Sequence, residues 1–297
     1  MPNYALHRTG LASRNCIVVS GRTRMLLLLR STICCLIGLG AWTGAAAATE
    51  PRVVMEEMTT TEIRDAIRGG KTTVLIYNAS IEASGPHLAL GKHLYRARYL
   101  GEHIARGLGT ALLAPIVPFA PTTDERRFSG TVHLPPETFA AVNAELADSM
   151  VNAGFRFVVL LGDHDGNQET LKTLAPKLDE KYRDRGVRVF YSSDAYTKSN
   201  QEIDAYLRNH GYPPSRHGGV SDTSTLWAVD AKYVRPDKMT NVGAPVPPQG
   251  SPLALGAAGF EGDPRKSSQE LGTLFLDMKI RNGVADIRRL TQPAGSK

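Results

Sequence analysis

Cysteine is nearly missing from this 297-residue chain, and its three copies (Cys16, Cys34 and Cys35) all precede residue 48. Residues 49–297 are therefore cysteine-free, which excludes disulfides and thiolate chemistry from them. The first 48 residues also lack Asp and Glu. They hold five of the 35 basic residues (Arg8, Arg14, Arg22, Arg24 and Arg30), leaving 30 basic against 29 acidic side chains, so the formal charge of +6 falls to +1. The apparent basicity belongs to the leader and is no argument for a nucleic-acid or anionic-membrane partner. Internal repeats, low-complexity tracts and a sharp Gly-x-Ser-x-Gly nucleophile turn are absent as well.

The leader has the three parts of a secretory signal: Arg22 and Arg24, an apolar stretch from Met25 to Trp42 interrupted by Arg30, and a small-residue end at Ala45–Ala48. Cleavage is expected among Ala46–Ala48, and Met25 would open a more ordinary signal than Met1 does. An uncleaved anchor is the alternative, but the interruption leaves less than the ~20 apolar residues of a stable span. The expectation is a signal peptide at 1–48 and one periplasmic or secreted domain at 49–297, with no stable membrane anchor.

Strand-like and helix-like segments alternate in that domain. Residues 72–78, 157–161 and 187–191 read as strands, and 111–119 as a strand end or edge because Pro115 and Pro118 interrupt it. Helical segments are expected at 61–68, 94–108, 136–153, 169–185, 200–209 and 264–282, with another running from Asp222 through Trp227. Val242–Gly259 reads as a surface loop. The β-then-α order predicts an α/β fold: a mostly parallel central sheet with helices on both faces and a ligand site beyond the strands' carboxyl ends.

Two loops leave such strand ends with metal-ligand chemistry. Glu82-Ala-Ser-Gly-Pro-His87-Leu-Ala-Leu-Gly-Lys-His93 follows the first strand with one carboxylate and two imidazoles, bent by Gly85, Pro86 and Gly91. Gly162-Asp163-His164-Asp165-Gly166-Asn167-Gln168 follows the strand at 157–161. A third polar stretch is Arg216-His217-Gly-Gly-Val-Ser-Asp222-Thr-Ser224. The competing structural readings are specific: Asp163, Asp165 and Asp222 as helix caps, and His87 tucked under the Gly-Pro turn.

With these three motifs in order, the chain resembles the creatininase (creatinine amidohydrolase) family over residues 72–280. Phe128-Ser-Gly-Thr131, Gly154-Phe-Arg156 and Gly262-Asp-Pro-Arg265 add to the likeness. The resemblance implies metal ligands at Glu82 and His164, and a proton-transfer role for His217. Asp222 stands where the family has a ligand glutamate. Ser84 replaces a second ligand histidine, and His93 replaces a metal-bridging aspartate. An imidazole offers one metal-binding lone pair where a carboxylate has two oxygens, so these two changes weaken a two-metal site.

The expectation is one divalent ion, Zn²⁺ first and Mn²⁺ or Fe²⁺ as alternatives, held by Glu82, His93, His164 and Asp222. His217 or Asp165 would move protons in the hydrolysis of a linear or cyclic amide other than creatinine, with a small-molecule substrate and a homo-oligomeric assembly. Two alternatives stand beside it. One is an exported binding protein that kept the fold and lost catalysis. The other is an enzyme that uses the ion for isomerisation or C–C cleavage.

Overall fold

Short runs of branched apolar residues, each leading into a polar loop and then a helix, set the architecture. The computed structural model describes residues 51–246 and 253–292. The expected leader at 1–48 lies outside them, as does part of the Val242–Gly259 loop. In chain order come α1 (Thr60–Arg68), β1 (Thr73–Asn78), α2 (Lys92–Leu108), β2 (Ala111–Leu113), α3 (Pro136–Ala153), β3 (Phe157–Gly162), α4 (Asp165–Tyr182), β4 (Arg188–Tyr191), α5 (Thr197–Asn209), α6 (Val220–Val229) and α7 (Gln269–Thr291). The four strands form one parallel sheet in the order β2-β1-β3-β4, with Leu75 opposite both Leu113 and Val159.

Local chemistry accounts for the boundaries. Thr59 and Glu62 form a reciprocal capping box at the start of α1. Pro136, which lacks an N–H, opens α3 where none is needed. The strand expected at 111–119 stops at Leu113, because Pro115 and Pro118 cannot donate to a ladder. The helix expected from residue 169 begins earlier, at Asp165. The late helix starts later than expected, at Gln269, after a single 3₁₀ turn at Pro264–Lys266, and runs on to Thr291.

The sheet order places the site. A right-handed crossover from β1 to β2 moves one way across the sheet, whereas those from β2 to β3 and from β3 to β4 move the other way. Hence α2 lies on one face and α3 and α4 on the other, and α7 joins α2 while α6 packs along α7. β1 and β3, side by side and buried along almost their whole length, send their following loops to opposite faces. A crevice opens between such strand ends. The Glu82 loop leaves β1 and the Asp163–His164 turn leaves β3.

Asp179, near the end of α4, shows how the helices are tied to the sheet. Its carboxylate accepts the Val189 backbone N–H at 2.9 Å and the Arg188 Nε–H at 2.8 Å, at the start of β4. Burial alone would raise its pKa, but Arg188 and the Val189 N–H outweigh that and hold it below the usual 3.8. Asp179→Ala leaves a buried N–H unpaired and should cost about 1–3 kcal/mol in denaturant unfolding. A carboxylate with a depressed pKa stabilises above its unfolded value and loses that contribution as pH falls through the folded one. The wild type should therefore lose part of its advantage over the variant as pH is lowered below 3.8, measured by urea melts across that range.

Candidate metal centre

The centre is built around Glu82, whose side chain is fully buried. Its two oxygens face two imidazoles: Oε1 lies 2.9 Å from His93 Nε2, and Oε2 lies 2.7 Å from His164 Nε2. Ser80 Oγ donates to Oε2 at 2.9 Å. Each element delivers its residue for a local reason. His93 sits in the first turn of α2, just after Gly91 closes the loop. His164 is the extended N-cap residue of α4, immediately beyond β3, with φ −118° and ψ 146°.

Glycines bring the loops together. Gly85 has φ 87°, and a Cβ there would stand 2.8 Å from the His87 ring and from Phe260. Gly218 has φ 70°, and a Cβ there would meet the Ser84 carbonyl oxygen at 2.7 Å. Both positions need a residue without a side chain. His87 serves this packing: its Nε2 lies 2.9 Å from the Gly218 carbonyl and 3.1 Å from Thr223 Oγ1, away from Glu82.

Around this core the charges are ordered. Asp163 Oδ2 lies 2.8 Å from His93 Nδ1 and also accepts from Arg96 Nε at 2.7 Å. Arg96 Nη2 lies 3.0 Å from the same Nδ1. An ion beside Glu82 would take the Nε2 lone pair of His93 with Nδ1–H turned to Asp163. His217 Nε2, 2.8 Å from the Ala83 carbonyl, must carry the hydrogen there, and its Nδ1 lies 3.7 Å from Glu82 Oε1. Ser84 Oγ stands 3.3 Å from His217 Nε2.

Burial alone would raise the pKa of Glu82, but His164 and His93 outweigh it and hold it well below the usual carboxylate range. Burial would lower that of His164, but Glu82 outweighs it and the pKa is raised. Burial, with Lys92 adding to it, pushes His217 down to about 3, so this imidazole is neutral.

Among the described residues, Glu82, His93 and His164 place three ligand atoms within 4.8 Å of one another, and Glu82, Glu125 and His217 form a second such group. The donor set fits a divalent ion: nitrogen and carboxylate oxygen, buried, with the far nitrogen of His93 held by a carboxylate. Asp222 is placed differently. It accepts from Lys92 Nζ at 2.6 Å, Arg96 Nη1 at 2.8 Å and the Gly218 N–H at 3.0 Å. It belongs to neither of the two groups. It lies within the first turn of α6, whose N-cap is Gly219. Asp165 is exposed, and with His164 and His217 it lines a cavity of about 430 Å³. Neither Asp163 nor Asp165 caps α4.

Sequence reasoning did not single out Lys92, Arg96 or Glu125. For the first two a signal existed: cations at positions 92 and 96 follow a ligand loop at i,i+4 spacing, on the face of α2 that His93 shares. Glu125 comes from a 3₁₀ turn at Asp124–Arg127 whose approach to Glu82 no spacing reveals.

An open parallel α/β protein with a buried carboxylate–imidazole centre at its switch point is the class these features define. The chain belongs to the creatininase family: residues 56–287 match the family described as creatinine amidohydrolase. Among solved structures, a creatininase designated Mn superimposes with a TM-score of 0.69 at 21% identity, covering 82% of this chain and 100% of that one. A creatinine amidohydrolase (creatininase) gives 0.69 at 19% identity, covering 82% and 99%. A creatininase mutant described as Zn-Zn type gives 0.66 at 21% identity, again covering 82% and 99%. No curated protein sequence matches the chain. At these identities the solved structures establish the fold. Family and site together indicate a metal-dependent amidohydrolase acting on a small molecule.

Asp163→Asn should weaken divalent-ion affinity by about 10–100-fold, because the candidate ligand His93 loses the carboxylate that orients its imidazole. Isothermal titration of the variant against wild type reads the effect directly, and an unchanged Kd would show that Asp163 does not orient the ligand.

Proposed function

We propose that this protein hydrolyses the C–N bond of an amide or cyclic amide other than creatinine, using one divalent ion. The observation that carries the reading is Glu82 held between Nε2 of His93 and Nε2 of His164, with Asp163 on the far nitrogen of His93. Glu82, His93 and His164 would hold the ion, and the mixed N/O set suits Zn²⁺, Mn²⁺ or Fe²⁺. A divalent ion bound there lowers the pKa of water towards ~7 and polarises a carbonyl.

The chain's own residues supply the rest. His217 presents an unprotonated Nδ1 towards Glu82 because its Nε2–H is committed to Ala83, so Nδ1 is the atom that takes a proton. Asp165, exposed on the cavity wall, is placed to orient a solvent molecule that relays a proton to a leaving nitrogen. The cavity of about 430 Å³, with Arg216, Lys279 and Asn200 on its wall, is roomier than one small ring requires. Together with Ser84 and His93 in place of family ligands, this argues against creatinine as the substrate. Export, read from the leader at 1–48, and a homo-oligomeric assembly, implied by the family likeness, belong to the same proposal.

Asp222 favours the second reading, a binding protein without catalysis, because two cations hold it away from the ligand group. Elemental analysis of purified protein, followed by a panel of linear and cyclic amides with creatinine included, separates the two. Expected are one bound divalent ion per chain and hydrolysis of a panel member faster than of creatinine. Activity should be abolished by chelation, restored by Zn²⁺ or Mn²⁺, and reduced at least ~100-fold in His164→Ala. A chain that neither retains nor takes up a divalent ion overturns the proposal. Metal binding without hydrolysis supports the binding protein.

A further inference from the structure

Four lysine and arginine side chains line the cavity: Lys92, Arg96, Lys279 and Arg216. Three of them are committed. Lys92 and Arg96 are hydrogen-bonded to Asp222 at 2.6 and 2.8 Å, and Arg96 also to Asp163 at 2.7 Å. Lys279 donates to Asn200 Oδ1 at 2.7 Å and lies in the field of Asp163, Asp222 and Asp204. Arg216 differs. Its one ion pair among the described residues, Nε to Glu261 Oε2, spans 3.7 Å, too long for a hydrogen bond, and its buried Nη1 has no partner.

Backbone pairing sets this geometry. Ser215 forms an antiparallel bridge with Gly262, and the Glu261 N–H donates to the His217 carbonyl at 2.8 Å, which brings Arg216 beside Glu261. Glu261 is fully buried and accepts the Ala254 N–H at 2.8 Å on Oε1, while its Oε2 is unpartnered. Its charge compensates Arg216 without engaging the guanidinium donors. A guanidinium has five such donors and is always charged. The Arg216 side chain keeps 26% of its surface exposed on the cavity wall, one residue before His217. Asp165 and Asp204, also on the wall, come from α4 and α5, and the cations acting on Asp204 are Arg208 and Lys279. An anionic group entering the cavity is therefore the partner that suits Arg216. With Glu261 beside it, a singly charged planar carboxylate fits better than a doubly charged phosphate.

We propose that the substrate carries a carboxylate besides its scissile amide, and that Arg216 binds it. The class is an amide acid: an N-acyl amino acid or a lactam with a carboxyl group. The cavity of about 430 Å³ has room for this second group beside the amide. The inference deepens the amidohydrolase reading of the preceding section and rests on it.

The test compares matched pairs on the metal-loaded protein: N-acetylphenylalanine with N-phenethylacetamide, and pyroglutamate with 2-pyrrolidinone. The members of each pair differ by the carboxylate. Hydrolysis gives kcat and KM, and isothermal titration gives Kd without turnover. Circular dichroism and thermal unfolding establish that each variant is folded. The wild type should prefer the acids by roughly 10–100-fold, the size expected of a hydrogen bond to a charged group. Arg216→Gln should abolish that preference, through KM more than kcat. Arg216→Lys keeps a charge opposite Glu261 without the planar fork, so it should retain only part of the preference, and it replaces the Gln variant if that one does not fold. Equal handling of acid and neutral members by the wild type overturns the inference and leaves amide hydrolysis standing. An undiminished preference in a folded variant does the same. Acid binding that depends on Arg216, with no amide hydrolysed, supports the carboxylate site and favours the binding protein. Neither binding nor hydrolysis of any acid overturns the inference.

Discussion

An ionised carboxylate withdrawn from water has to be met by positive charge or hydrogen-bond donors, and at Glu82 that requirement organises the middle of the molecule. His93 and His164 face its two oxygens, Ser80 donates to one of them, and Lys92 stands behind the other. These partners come from three parts of the fold: Ser80 from the loop after β1, Lys92 and His93 from the first turn of α2, and His164 from the end of β3. His164 and His93 outweigh burial and keep Glu82 ionised. The loops, the sheet register and the charge pattern therefore depend on one another.

The same demand explains a local contradiction in α2. Lys92 and His93 occupy the first turn of this helix, and that turn contains no acidic residue. The positive end of a helix dipole disfavours cations, so the placement is unfavourable for the isolated helix. It is compensated by Glu82, Asp163 and Asp222, none of which lies on α2. A residue that breaks a local rule and is repaired only by tertiary partners marks a functional site. Here it marks the buried carboxylate–imidazole group around Glu82.

Much of the fold was legible because it rests on local, periodic signals. The buried runs at 73–78 and 157–162 and the helices at 136–153 and 60–68 follow from apolar spacing and capping chemistry, and the β–α alternation implies parallel strands. Boundaries moved where geometry outside the segment decided them. The start of α4 at Asp165 is set by the strand end, with Asp163 drawn to His93 and Arg96 instead of capping the helix. In the site, the motif residues Glu82, His93 and His164 are grouped together, whereas Asp222, in an equally suggestive motif, is turned to Lys92 and Arg96. A motif carries the residue type and its loop, but not which of several buried charges it will face.

Sequence alone thus determined the residue chemistry of the centre, the α/β class and the family likeness, because these depend on spacing along the chain. Tertiary structure decided the partnerships: Lys92 and Arg96 with Asp222, Asp163 with His93, and Glu125 with the Glu82 side of the cavity. Those partners are 43 to 130 positions apart, the extremes being Glu82 with Glu125 and Lys92 with Asp222. Charge pairing in a buried site depends on distances of a few ångströms in space, which only the folded sheet and its crossovers set.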